Sequence, residues 1–274
     1  MDNTLLLTWT FKPYSEVKNT WYNHHTINSF DREKEYFDAL VYYITQSNFN
    51  YIVFVENSNS RFSNNHLEII NYLLSAYWKH FEYLSFLSDK EKIKDRWYNY
   101  WEWECIDYAY KNSSFLKRSK NWYKITWRYK CLNINEITND LSDTNRYFYR
   151  FSTPWIYWVA TSIFKCNNEV YWKCLYNTKT LVDFKNPDFL RSYEMMCYYN
   201  LRNILTSEKK TNLFPIFHTQ KNCWILKNPG GGNLRYSLTI WRFFRSIMYF
   251  WSPIDRFLSY IFDKFYCNWK LKLQ

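Results

Sequence analysis

Glycine is nearly missing from this chain: 3 occur in 274 residues, all together at Gly230 to Gly232, about 1% where an average chain carries about 7%. A domain of this length needs positions of positive φ, close backbone approach and tight turning, and glycine supplies them with the least steric cost. Some other residue must therefore stand at those positions. The 7 cysteines, Cys105, Cys131, Cys166, Cys174, Cys197, Cys223 and Cys267, are odd in number and widely spaced, with no CxxC pair. That excludes a disulfide frame and a spaced zinc site, and it fits reduced thiols in a cytoplasmic protein. No stretch approaches the roughly eighteen uninterrupted apolar residues of a transmembrane helix, and "MDNTLLLTWTFKP" has an acidic residue at its start and too short an apolar run for a signal peptide. His24 and His25 are adjacent and His66, His80 and His218 are scattered, a spacing that argues against a histidine metal cluster. No GxSxG, HExxH, P-loop or Asp-x-Asp pattern occurs.

Tryptophan is what the chain has in excess, at 15 residues. Tryptophan and glycine together make about 7% of the chain, the ordinary share of glycine alone. The placements match as well: "TWTFKP" ends an apolar run, "KNTWYN" and "STPWIYW" sit among turn residues, "SKNWYK" follows a Lys/Ser/Asn cluster, and "KITWRY" leaves a strand. Glycine has a mechanical reason to be at such places, and bulky tryptophan has none at most of them. A gene in which UGA encodes glycine, translated with a table that assigns UGA to tryptophan, accounts for this. The alternative is a genuine tryptophan-rich surface that stacks on sugars or nucleic-acid bases. That alternative gathers the tryptophans on one exposed face, whereas the codon explanation scatters them over strand ends, tight turns and crowded sites.

Hydrophobic residues at 47% and charged residues at 22% describe a folded chain able to bury a core. Apolar and β-branched runs at Leu5 to Thr10, Tyr51 to Val55, Phe81 to Leu87 and Tyr123 to Tyr129 predict strands. Helical spacing predicts helices over Asp31 to Thr45, Asn65 to Trp78 and Glu104 to about Leu116. This alternation predicts βαβ units and a mostly parallel sheet flanked by helices, an α/β fold. Farther on, Phe148 to Phe151 and Ile156 to Lys165 read as strands and Pro187 to Leu205 as a helix. The expected division is a domain over 1–235 and a basic, aromatic helical extension over 236–274, split by Pro253. In that extension Phe243, Ile247 and Phe250, then Phe257, Tyr260, Ile261 and Phe265, share helical faces, which suits either an anionic membrane surface or packing on the domain. The net charge of +11 and pI near 9.1 favour anionic partners.

In α/β folds ligands bind at the carboxyl ends of the strands. Thr8 and Thr10 in "TWT", Glu56, Asn57 and Ser58 in "ENSNS", and Tyr98, Tyr100, Glu102 and Glu104 in "WYNYWEWE" stand there. Lys124, Thr126 and Arg128 alternate along one strand and so share a face, a pattern that suits a diphosphate or a solvated edge strand. With glycine at Trp97, Trp101 and Trp103 the third cluster becomes a glycine-rich loop before a helix, whose backbone N–H groups can approach a phosphate. Glu102 and Glu104 repel phosphate there and suit sugar hydroxyls or the stabilisation of a first helical turn.

With tryptophan replaced by glycine, "LLLTGTFKP", "IVFVENSNS", "RGYNYGEGECIDYA" and "YKITGRYKCLN" resemble the motif series of a bacterial family tied to capsule and lipopolysaccharide assembly, itself similar to GT-A glycosyltransferases. The resemblance spans roughly residues 4 to 135. It implies a GT-A-like, Rossmann-like nucleotide-sugar-binding domain. The partners it implies are a nucleotide-sugar donor, a glycan or lipid-linked acceptor and an anionic face of the cell membrane, with no nucleic acid. Metal-dependent members of that fold carry Asp-x-Asp at a strand end, and this chain places "KITWRY" in the equivalent order. Lys124 and Arg128 are therefore expected to neutralise the leaving diphosphate with no cofactor required; Mg2+ or Mn2+ held by Glu102 or Glu104 is the alternative. Inverting transfer needs a carboxylate base, for which Glu194 and Asp183 are the candidates and Asp188 a rival. An inactive relative with a scaffolding role is the third functional class.

Overall fold

Leu5, Leu6 and Leu7 form an unbroken apolar run, as a strand buried on both faces requires. The computed structural model describes residues 3–11, 29–89, 98–126, 129–139, 163–176 and 225–227. Asn3–Trp9 is β1, buried from Thr4 to Trp9. Helix α1 (Ser29–Gln46) follows, then β2 (Tyr51–Glu56), α2 (Asn64–Ala76) and β3 (His80–Ser85). Helices α3 (Tyr98–Asn112) and α4 (Ser114–Arg118) lead to β4 (Asn121–Thr126). Beyond it lie β5 (Tyr129–Cys131), α5 (Ile134–Thr138) and β6 (Ile163–Cys166). A short helix α6 (Asn168–Val170) continues into a π-helical segment (Tyr171–Tyr176), and β7 (Ile225–Lys227) is the last described element.

Among the described residues a five-stranded sheet has the order β3-β2-β1-β4-β6. Strands β1 to β4 are mutually parallel, and β6 runs antiparallel to β4. The predicted α/β class with a mostly parallel sheet is therefore present, with one reversed edge strand. Strands β5 and β7 pair separately as an antiparallel ribbon.

Alternation along the strands divides the core into two layers. Leu5, Leu7, Trp9, Ile52, Phe54, Tyr123 and Ile125 pack with Tyr36, Leu40, Tyr43 and Ile44 of α1 and Ile70 of α2. Leu6, Val53, Val55, Trp122 and Phe164 pack with Trp103, Ile106, Ala109 and Tyr110 of α3. Helices α1 and α2 therefore cover one face and α3 the other. The chain reverses its direction of travel across the sheet after β3, and right-handed crossovers then force α3 to the opposite side. The reversal makes β1 and β4 neighbours with their crossover helices on opposite faces. Their carboxyl ends form the crevice where an open sheet of this kind takes a ligand.

Two expectations differ from this arrangement. The chain from Tyr98 is already helical, so Trp101 and Trp103 lie within α3 and not in a loop before it, and no acidic residue occupies its first turn. The physical reason is propensity: tryptophan is tolerated in a helix, whereas glycine costs about 1 kcal/mol per interior position. Among the described residues β4 pairs with β1 as far as Thr126 and with β6 as far as Ile125, and Tyr129 belongs to the separate ribbon. That ribbon is tied to α1, because the Tyr43 hydroxyl donates to the Tyr129 carbonyl at 2.6 Å and accepts the Cys131 N–H at 2.9 Å. Arg128, Trp97, Asp183, Asp188, Glu194, the predicted strand at Phe148, the helix at Pro187 to Leu205 and the extension at 236–274 lie outside the described residues.

Candidate functional site at the carboxyl ends of the strands

Lys124 is the fourth residue of β4 and projects to the α3 face, on the same side as Trp122 and Thr126. It is fully buried, at 0% exposure. An ammonium at that depth must be paired, since uncompensated burial of a charge costs several kcal/mol. The partner comes from α3: the Lys124 ammonium donates to Glu102 Oε1 and to the Thr126 hydroxyl, and that hydroxyl in turn donates to the same carboxylate oxygen. The ring of Phe164 on β6 lies 5.8 Å from the ammonium, within cation–π range. Thr8 is the Cα partner of Thr126 across β1 and β4 and lies on the same face by alternation from Leu6. Lys124, Thr126, Thr8 and Glu102 thus converge beside the crevice.

The β1 and β2 ends are organised around Glu56, which is fully buried. Its Oε1 accepts the backbone N–H of Phe11 at 3.1 Å and of Ser58 at 2.8 Å, together with the Ser58 hydroxyl. Its Oε2 accepts the Ser60 N–H at 2.9 Å and the Ser85 hydroxyl at 3.3 Å. Every one of these donors is neutral. Thr10 donates through its hydroxyl to Asn57 Oδ1 at 2.6 Å and accepts from Tyr36 at its carbonyl. The loop itself turns at Asn59, with φ 51°, a conformation that Asn tolerates. Glu56, Asn57, Ser58 and Thr10 therefore build and brace the loops of the site.

Glu104 accepts the Ser88 hydroxyl at 2.5 Å, and Ser88 N–H bonds the Asn57 carbonyl, so α3 is tied to the loops after β2 and β3. Tyr100 is buried in the α3 layer, its ring 5.9 Å from that of Trp103. Tyr98 begins α3. Of the predicted donor residues, the structure gathers Glu102, Lys124, Thr126 and Thr8 on one face and assigns Glu56, Asn57, Ser58, Thr10 and Glu104 to loop bracing. Ser85, Ser88 and Phe164 were not foreseen. Two are small neutral residues without a motif, and Phe164 reaches the site from a strand 40 residues along the chain from Lys124.

The described tryptophans do not form one exposed face. Trp9 ends β1 and Trp122 lies in β4, both buried, and neither indole N–H has a hydrogen-bond acceptor among the described residues. Buried tryptophan ordinarily finds one. Trp103 is buried and Trp101 packs against the same layer. Trp78 and Trp172 are exposed, and they belong to elements on opposite faces.

Trp78 is the sharpest case, being 87% exposed with φ 54°. It follows Tyr77, the residue that caps α2; the Trp78 N–H bonds the Ser75 carbonyl and the Lys79 N–H bonds that of Leu74. That is the Schellman helix ending, whose left-handed residue is usually glycine.

Among the described residues no group of three or more His, Cys, Asp or Glu could hold a metal ion. Glu102 is committed to Lys124 and Glu104 to Ser88, so the two carboxylates do not present a joint donor set. No helix of the described residues is long and apolar enough to cross a membrane. No known family model matches the chain, and no curated protein matches it significantly.

Proposed function

We propose that this chain is a glycosyltransferase that moves a sugar from a nucleotide-sugar donor to a surface polysaccharide or a lipid-linked glycan, in a GT-A-like domain acting at the cytoplasmic face of the membrane. The observation that carries the proposal is a buried lysine–carboxylate–hydroxyl cluster between β4 and α3, at the carboxyl end of the sheet and at the switch point of its topology. Buried ion pairs contribute little net stability, so the core does not need one there.

Transfer breaks the bond between the sugar's anomeric carbon and the diphosphate oxygen, and forms one from that carbon to an acceptor hydroxyl. The bonding pair leaves with the nucleoside diphosphate, whose negative charge grows as the bond breaks. A preorganised ammonium in a water-poor site stabilises that charge strongly. Lys124 supplies it, with Thr126 as a hydroxyl donor and Arg128 as the second cation of the motif. The acceptor proton goes to a carboxylate, Glu194 or Asp183. In a transfer assay over UDP-, GDP-, CMP- and dTDP-sugars, the Lys124→Ala, Arg128→Ala double variant should lose at least about 10²–10³-fold in kcat, since that is the range for one preorganised donor and two are removed. Full activity in that variant would sink the proposal.

Tryptophan standing for UGA-encoded glycine belongs to the same proposal, since the family resemblance depends on it. The left-handed Trp78, the buried Trp9 and Trp122 indoles and the scatter of the described tryptophans support it. The gene's codons decide it: UGA is expected at Trp9, Trp78 and Trp101, and UGG at those positions would end the idea. A nonenzymatic stacking protein draws no support from the placement of the described tryptophans.

A further inference from the structure

Glu102 and Lys124 differ in how they are held, and that difference carries an inference about how the site is filled. Lys124 is 0% exposed on a central strand with neighbours on both sides, and Thr126 beside it is 8% exposed. Neither can leave. Glu102 reaches them from α3 with its side chain 17% exposed, the outermost of the three. A carboxylate in that position neutralises a buried ammonium, but a phosphate placed on the same ammonium meets a like charge at contact distance.

We infer that the Glu102 carboxylate occupies the place of a donor phosphate oxygen, and that a diphosphate binds Lys124 and Thr126 by displacing it toward solvent. This rests on the donor site proposed above. The exchange keeps the buried ammonium paired throughout: an oxyanion from α3 is replaced by an oxyanion from the ligand. Glu102 regains water as it moves out, and Thr126 turns its hydroxyl from carboxylate to phosphate. The carboxylate thereby acts as an internal competitor, which lowers apparent affinity in proportion to the fraction of molecules in which it is seated. It also selects for ligands that bring at least as much charge as they displace. A neutral sugar cannot unseat it.

The test uses the full chain, inorganic pyrophosphate and a panel of nucleoside diphosphates in titration calorimetry, with circular dichroism as the check that each variant folds. Glu102→Gln, which keeps the shape and loses the charge, should bind pyrophosphate on the order of tenfold more tightly than the unaltered chain. Glu102→Asp keeps the charge and holds Lys124 less closely; it should fall between the two, and it serves if Glu102→Gln does not fold. Lys124→Met should abolish the gain. Pyrophosphate binding by Glu102→Gln and Glu102→Asp no tighter than by the unaltered chain would overturn the inference, as would a gain that survives Lys124→Met. A tenfold gain for pyrophosphate while no nucleoside diphosphate binds any form would overturn the donor assignment and leave the displacement standing.

Discussion

The carboxyl ends of β2 and β4 are each served by one buried or nearly buried carboxylate, and the two are held in opposite ways. Glu56 is the last residue of β2 and is surrounded by neutral donors from three segments of chain, at Phe11, at Ser58 and Ser60, and at Ser85. Glu102 sits on a helix, and its Oε1 accepts from the buried Lys124 ammonium and from the Thr126 hydroxyl. A carboxylate bound by many backbone N–H groups cannot be removed without stranding them. A carboxylate that neutralises a buried cation from a partly exposed position on a helix holds a place that another anion can take. On the donor-site proposal, the β2 end is scaffold and the β4 end is the half of the site where an anion can be exchanged.

The largest effect should come from breaking the scaffold. Glu56→Ala strands several buried donors at once and should cost about 3–5 kcal/mol of stability, read as a lowered midpoint in urea unfolding with two-state analysis. Glu102→Gln leaves the Lys124 ammonium facing an amide oxygen in place of a charge and should cost about 2 kcal/mol. The Glu102→Gln, Lys124→Met double variant should recover most of that loss, because the flexible methionine fits the lysine's apolar path. A double variant as unstable as Glu102→Gln alone would show that the lysine is not the source of the cost.

A smaller effect, of opposite sign, concerns the ending of α2. Trp78→Gly removes a left-handed non-glycine residue and should stabilise the fold by about 1–2 kcal/mol, visible as a rise in thermal midpoint, while Trp78→Ala should gain nothing comparable. The smallest prediction sharpens the contrast between cations. Lys79 donates to the Ser47 and Phe49 carbonyls at 2.6 and 2.7 Å, at the amino end of the sheet, with no carboxylate among those partners. Burial lowers its pKa from 10.5 to about 8. Between those values the unfolded chain holds a proton that the folded chain has released, so this group makes stability rise with pH across the window. Lys79→Met should flatten that slope in urea unfolding between pH 8 and 10.

Much of this fold could be read from local pattern. The apolar runs at Leu5 and Tyr51 and the spacing of Tyr36, Leu40 and Tyr43 place β1, β2 and α1 within a few residues of where they lie. Alternation alone puts Lys124 and Thr126 on one face. The reversal of β6 was not legible, since a four-residue strand carries no direction in its sequence. The start of α3 is not legible because tryptophan and glycine at 101 and 103 predict different structures. The two carboxylate environments were invisible for a common reason: each is assembled by tertiary contact. Glu56 draws on donors as far as 45 residues earlier and 29 residues later, and Glu102 meets a lysine 22 residues away.

The central claim is that the carboxyl end of β4 receives the diphosphate of a nucleotide sugar. Its most direct test is a thermal-shift panel of UDP-, GDP-, CMP- and dTDP-sugars on the chain with glycine at every tryptophan whose codon is found to be UGA, alongside Lys124→Met. One donor should raise the midpoint, by an amount corresponding to about 2.7 kcal/mol at a hundredfold excess over Kd, and Lys124→Met should lose that rise. An unmoved midpoint with every donor, or an equal rise with and without Lys124, would contradict it.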